Sequence, residues 1–364
     1  MTIDHILHVV GARPNLVKIA PIMRRMTDVN LRQTLVHTGQ HYDYQMSQVF
    51  FEELSLPQPD VYLGVGSASH AVQTARAMMG LEETISQRKP DLVVVVGDVN
   101  STLAAALVAS KLLIPVAHIE SGLRSNNRRM PEEINRIVTD AISHYLFTTE
   151  RDANANLERE GIDPKRVHFV GNVMVDSLIE HRERALRLDV LSEHGLLAGQ
   201  YALLTLHRPD NVDFRESLTG LLTAIGQVAR VLPVLFPVHP RTQARIEEFG
   251  LGRLVRVPGF TVCPSLGYLP FLGLMARSAF VMTDSGGIQE ETTALGIPCL
   301  TLRPETERPI TVTEGTNTII GSDAGLLLGE AGNILRGAGK KGRVPELWDG
   351  RAAYRIVDVV MSSS

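Results

Sequence analysis

Asp98 closes the run VVVVGD, Glu120 closes VAHIE, and His207 with Arg208 closes LLTLHR. Carboxylates that share a pocket suit general acid and base work when their surroundings separate their pKa values. A histidine followed by an arginine suits a pyrophosphate. Glu120 is the most pointed of these positions: an acid beside Ser121, Gly122 and Arg124 at the end of an apolar run has no evident structural task. Asp98 reads equally well as a turn residue. Glu132 and Glu133 follow Pro131, a common helix opening, so a purely structural role fits both. His239, in PVHPRT, admits either reading.

Two further segments suit an anion. Gly11–Ala12–Arg13–Pro14 combines a turn glycine, a proline that presets φ for a helix start, and a guanidinium fork for phosphate. Lys18 follows about one helical turn later. The plain alternative is a tight turn with basic residues on the surface. In Thr283–Asp284–Ser285–Gly286–Gly287 two glycines open a helix, where a phosphate can approach main-chain N–H groups and Ser285 can donate its hydroxyl. Glu291, about a turn further on, suits the two hydroxyls of a ribose. Here the alternative is that Ser285 caps the helix and the glutamates offset its dipole, although Gly-Gly weakens a helix start that capping alone would not require.

These residues need elements to carry them, and the chain has a regular rhythm. Short β-branched runs predict strands at 3–10, 92–96, 115–119, 203–206, 234–238, 280–282 and 299–302. Helical stretches follow at 15–26, 102–113 and 288–295. Strand and helix alternating this way implies parallel sheets covered on both faces. The runs are too many for one sheet, and the rhythm pauses at a predicted helix over 175–188. The reading is α/β, with two doubly wound domains facing each other across a cleft: 1–174 and 175–350. The last helix, within 351–364, is expected to pack back on the first domain. In such folds ligands sit beyond the carboxyl ends of the strands.

Composition excludes several classes. The 364 residues carry 36 Lys and Arg against 40 Asp and Glu, a net charge of −4, with no basic tail for a nucleic acid. Hydrophobic residues at 44% and charged ones at 21% describe a folded globule. Cys263 and Cys299 are too few for a disulfide framework, and no apolar run approaches a membrane span. The opening MTIDHILHVVGARP does not read as a signal peptide, so a reducing, cytoplasmic compartment is expected. There is no P-loop. GVGSAS breaks the dinucleotide fingerprint at Ser69, and GAGKKG at 337–342 fits it but follows no strand. His5 and His8, three apart on a strand, point to opposite faces and do not make a zinc pair.

In order along nearly the whole chain, GARPNLVKIAP, TGQHYD, VVGDVNSTLA, HIESGLRS, RRMPEEINR, GNVMVDSL, TLHRPDNVD, PVHPRT, TDSGGIQEE and TERP resemble the non-hydrolysing UDP-N-acetylglucosamine 2-epimerases. The resemblance implies a GT-B-type fold, two Rossmann-like domains with the active site between them, and a homodimer. It implies inversion at C2 of a UDP-N-acetylhexosamine through a 2-acetamidoglucal and bound UDP, with no metal and no nicotinamide cofactor. By the same matching Asp98, Glu120 and Glu132 handle protons. Arg13, His207, Ser285, Gly286 and Gly287 stabilise the leaving diphosphate, and Lys18 assists near the phosphates. Glu291 holds the ribose, Arg308 contacts the nucleotide and Phe271 packs on the uracil.

The sequence departs from the family at Val99, where threonine is usual, and at Ile310, where an acid is common. Pro209 stands where substrate-activated members have arginine, although His239 is retained. GARP in place of GTRP resembles relatives that epimerise UDP-2,3-diacetamido-glucuronate, which keeps that substrate open. A hydrolysing epimerase and a glycosyltransferase on the same fold are the remaining alternatives.

Overall fold

The computed structural model describes residues 3–39 and 44–362, the side chains of 44–47 excepted. The last four residues of TGQHYD lie outside the described residues. Contacts divide the chain into two compact units: one runs to Glu180 and resumes at Glu346, and the other is His181–Pro345.

The first unit holds a seven-stranded sheet whose pairings are all parallel. Its strands are β1 (His5–Val10), β2 (Arg32–His37), β3 (Val61–Tyr62), β4 (Leu92–Val96), β5 (Val116–Ser121), β6 (Tyr145–Thr148) and β7 (Val167–Phe169). Their order in space is β3-β2-β1-β4-β5-β6-β7. β4 is LVVVV, buried at every position, as a strand covered on both faces must be. Strand order reverses between β1 and β4, so the loops leaving these two strands flank a topological switch point.

The second unit holds a six-stranded parallel sheet of β8 (Ala202–Thr205), β9 (Val234–Val238), β10 (Phe260–Pro264), β11 (Phe280–Thr283), β12 (Cys299–Thr301) and β13 (Asn317–Ile319). The order β10-β9-β8-β11-β12-β13 puts its switch point between β8 and β11. Leu204, Phe236, Phe280, Met282 and Leu300 line its core with Leu218, Leu222 and Ile225 of the helix Arg215–Ala229.

The α/β class and the two parallel sheets agree with the sequence reading, and strands 92–96 and 234–238 have the expected bounds. Other bounds shift. The first helix begins at Arg13, because Pro14 sits comfortably in a first turn, and the fourth-strand helix is Asn100–Lys111. The helix expected over 175–188 is Val173–Leu186.

The C-terminal helix Ala352–Ser362 belongs to the first unit. Asp176 fixes it by accepting from the N–H groups of Ala352 (3.1 Å) and Ala353 (2.7 Å). Arg25 lies over the Tyr354 ring, and the Trp348 indole donates to the Thr149 carbonyl. His5 and His8 are both buried, bonded to Thr34 and Gln33 respectively. Among the described residues no helix is long and apolar enough to cross a membrane.

Candidate active site

In the first unit the strand ends deliver two acids, each held by a basic partner. Glu120 is the penultimate residue of β5, is 3% exposed, and its carboxylate is ion-paired with Lys18 of the helix Arg13–Asp28. Its backbone lies in the left-handed region, at φ 69°, and the β5–β6 register shifts at this point. A non-glycine residue there costs on the order of 1–3 kcal/mol and persists where the surroundings over-determine it. Asp98 follows β4 and is ion-paired with Arg136 of the helix Pro131–Ile142. Asn135 of the same helix donates to the Asp98 carbonyl (2.8 Å).

Glu132 and Glu133 part company in this helix. Glu132 sits in the first turn, half-buried, where a helix-opening acid is expected. Glu133 is 1% exposed and is more than a helix opener. It accepts from the N–H groups of Ser125 (3.0 Å) and Asn126 (2.9 Å) and is bonded by the Arg136 guanidinium. Burial would raise its carboxyl, but these donors outweigh it and hold the pKa below the usual range.

The loop after β1 differs from the simple anion cradle expected of it. The Gly11 and Ala12 N–H groups are taken by the Asn15 side chain (3.1 and 2.9 Å), and Asn15 also donates to the Val96 carbonyl. Gly11 is required by packing, since a Cβ there would lie 2.2 Å from the Ser101 hydroxyl. Arg13 opens the helix, half-buried, with its guanidinium over the Phe50 ring.

In the second unit the two strands at the switch point deliver His207 and Asp284. The fully buried Asp284 carboxylate accepts from the His207 ring Nδ1 (3.0 Å) and from the main-chain N–H groups of His207 and Arg208 (both 2.9 Å). Burial opposes its ionisation, yet His207 and these N–H groups bring the pKa down to about 2. Nδ1 thereby carries the proton bonded to Asp284, and Nε2 remains for a ligand. The His239 ring lies 5.9 Å from the His207 ring, centre to centre.

Ser285 precedes the helix Gly286–Leu295, and among the described residues its hydroxyl makes no capping bond. The capping explanation of this serine therefore falls, and the first-turn N–H groups are left without that partner. A Cβ on Gly286 would lie 2.4 Å from Arg308 Nη1 and 2.6 Å from Glu307 Oε1, so a larger residue there would displace this buried pair. Arg308 is bonded to Glu290 (2.9 Å) and to Glu307, and Glu307 also takes Arg303 (2.9 Å). Glu291 is 5% exposed and interacts with the Tyr268 hydroxyl. Burial and the neighbouring Glu290 push its carboxyl up to about 8, although Tyr268 opposes this. Phe271 lies half-buried in the helix Tyr268–Met275.

The structure thus brings together Lys18 with Glu120, and Asp98 with Glu133 through Arg136. In the other unit it brings together His207 with Asp284, the residue before Ser285, and Arg308 with Glu290, the residue before Glu291. Sequence reasoning missed Asp284, Arg136, Glu133, Glu290 and Glu307 as holding groups. Only Asp284 gave a signal, as an acid at a strand end before Ser-Gly-Gly.

The UDP-N-acetylglucosamine 2-epimerase family model matches residues 24–361. A UDP-N-acetylglucosamine 2-epimerase of Methanocaldococcus jannaschii is 40% identical over 358 residues, 97% of each chain. A UDP-2,3-diacetamido-2,3-dideoxy-D-glucuronate 2-epimerase of Pseudomonas aeruginosa is 42% identical over 335 residues, 91% of this chain and 92% of that one. Among solved structures, the M. jannaschii UDP-GlcNAc 2-epimerase in complex with UDP-GlcNAc and UDP superposes with a TM-score of 0.92, covering 98% of this chain and 99% of that one at 40% identity. The Neisseria meningitidis UDP-GlcNAc 2-epimerase bound to UDP-GlcNAc gives 0.88 at 28% identity, covering 98% and 100%.

Proposed function

The chain belongs to the UDP-N-acetylglucosamine 2-epimerase family, and on that premise we propose that it interconverts UDP-N-acetylglucosamine and UDP-N-acetylmannosamine by eliminating and re-adding UDP. The observation that carries the reading is Glu120: a buried carboxylate in a left-handed backbone at a strand end, bonded to Lys18, is an expensive arrangement with no structural need behind it.

The C2 hydrogen of such a sugar is not acidic, so the barrier falls mainly through departure of a stabilised diphosphate. The C1–O bond to UDP breaks as a base takes the C2 proton, leaving a 2-acetamidoglucal and UDP. UDP oxygen then returns to C1 while a proton is delivered to C2 on the opposite face. Two faces of one ring need two proton carriers, for which Asp98, Glu120 and Glu132 are the candidates. The electrostatic work falls to donors fixed beforehand. His207, tied by Asp284, and the first turn of the helix Gly286–Leu295 with Ser285 and Gly287 suit the diphosphate. Arg13 and Lys18 add positive charge on the acids' unit. Glu291 suits the ribose, Phe271 the uracil and Arg308 the nucleotide. A homodimer is the assembly this reading takes from the family resemblance.

A second reading has its own support. The P. aeruginosa diacetamido-glucuronate epimerase is as similar as the N-acetylglucosamine enzymes, and GARP resembles that group at the level of sequence. The reaction would be the same on a uronate sugar. NMR of each sugar nucleotide incubated with the protein tests both. The proposal expects the manno epimer of UDP-N-acetylglucosamine to appear without free sugar. Conversion of the uronate alone would replace the substrate, and release of free sugar with UDP would replace the reaction by hydrolysis.

A further inference from the structure

The helix Pro131–Ile142 is amphipathic, but several residues on its inward face are polar: Glu133, Asn135, Arg136 and Asp140 are all buried. Arg136 and Asp140 lie one turn apart on the same face. Arg136 and Asn135 act directly on Asp98, as described above. Asp140 does something else. One of its oxygens accepts from His118 Nδ1 (2.6 Å), and the other accepts from the Gly122 N–H (3.0 Å) and from Arg124 (2.7 Å). His118, in the middle of β5, carries the chain onward: its Nε2 donates to the Gly97 carbonyl (2.8 Å).

Asp140, His118 and Arg124 are 0, 0 and 7% exposed. Burial would raise the Asp140 carboxyl, but His118 and Arg124 outweigh it and hold it below the usual range. The two ends of this chain are informative. Gly97 (φ 68°) immediately precedes Asp98, and Gly122 (φ 78°) lies two residues beyond Glu120. A Cβ on Gly97 would meet Lys18 Nζ at 3.2 Å, and one on Gly122 would meet the Ala153 carbonyl at 2.6 Å. Both turns therefore leave little room for a side chain on one side and are held by the His118–Asp140 chain on the other. A hydrophobic residue at 118 would fill a strand interior equally well, so filling space does not explain a histidine there.

We propose that His118 and Asp140 are positioning residues that set the separation and direction of Asp98 and Glu120. The inference rests on the reading of those two acids as proton carriers. Misplacement of a reacting group by about 1 Å costs on the order of 10²-fold in rate, which is the scale expected here.

Two substitutions separate this from a structural role. The amide nitrogen of His118→Asn mimics Nδ1 and keeps the bond to Asp140 while losing Gly97; that of His118→Gln mimics Nε2 and keeps Gly97. The proposal expects His118→Asn to lower kcat about 100-fold with KM and UDP affinity within about threefold. It expects His118→Gln to recover at least tenfold of that loss, and amide exchange to quicken at Asp98 in the asparagine variant and at Gly122 in the glutamine variant. Equal losses in both variants, or exchange unchanged at Asp98 in His118→Asn, overturn the positioning role. Failure of the wild-type protein to exchange the C2 hydrogen of either sugar nucleotide overturns instead the reading of the acids, while the amide-exchange comparison still decides whether His118 holds the turns.

Discussion

The Asp284 carboxylate holds His207 by ring and main chain together, the ring Nδ1 at 3.0 Å and the main-chain N–H at 2.9 Å. The two residues follow adjacent strands, β8 and β11, where the strand order of the second sheet reverses. Register brings them together, because Thr205 and Thr283 are Cα partners at the strand ends, with Asp284 one residue beyond its strand and His207 two beyond its own. A histidine so fixed presents one nitrogen, in one direction, with one tautomer.

Asp284→Asn is therefore expected to lower kcat on the order of 10²-fold or more, by releasing the His207 tautomer, with a smaller effect on folding. Steady-state kinetics beside a urea titration checks this. A loss of stability that accounts for all the lost activity would assign Asp284 to the fold alone.

Glu120→Gln is expected to abolish turnover and C2 hydrogen exchange while leaving UDP affinity within about tenfold, because the carboxylate acts on the sugar. Calorimetric titration with UDP and an exchange assay check it. Unchanged turnover would remove Glu120 from the chemistry.

Glu291 carries a pH signature. Its carboxyl titrates at about 8 in the folded protein against an ordinary 4.5, so the folded state holds the proton more tightly. That contribution to stability is fully present below about 4.5 and is lost as pH rises through about 8. Denaturant midpoints from pH 5 to 8.5 should fall more steeply for wild type than for Glu291→Gln, whose side chain does not ionise. Parallel profiles would place the raised pKa elsewhere.

Asp176→Ala removes two N–H partners at the start of the C-terminal helix. A cost of about 0.5–2 kcal/mol is expected, as for loss of a helix cap. Amide exchange should quicken in Ala352–Ser362 before it does in the sheets. Unaltered exchange there would mean that the Arg25–Tyr354 and Trp348 contacts hold the helix unaided.

Much of the fold was legible because buried parallel strands announce themselves: LVVVV and VLFPV are the short, wholly apolar runs that a strand covered on both faces needs. The acids and the histidine were legible because they end such strands. Their partners were not. Lys18 meets Glu120, and Arg136 meets Asp98, through helix crossings and strand order that local spacing does not encode. Glu133 misleads for a similar reason. The proline-acid pattern opens the helix as expected, but the loop 125–126 folds over that acid and takes its carboxylate. Ser285 went the other way, since its type suits a cap that the structure does not make.

The central claim, a proton leaving and rejoining C2 while UDP is detached, meets its most direct test in D₂O. The protein is incubated there with UDP-N-acetylglucosamine, and the recovered sugar nucleotide is read by NMR and mass spectrometry. The account predicts one deuterium at C2 in both epimers and none at any other carbon. Epimers recovered with hydrogen still at C2 would contradict it.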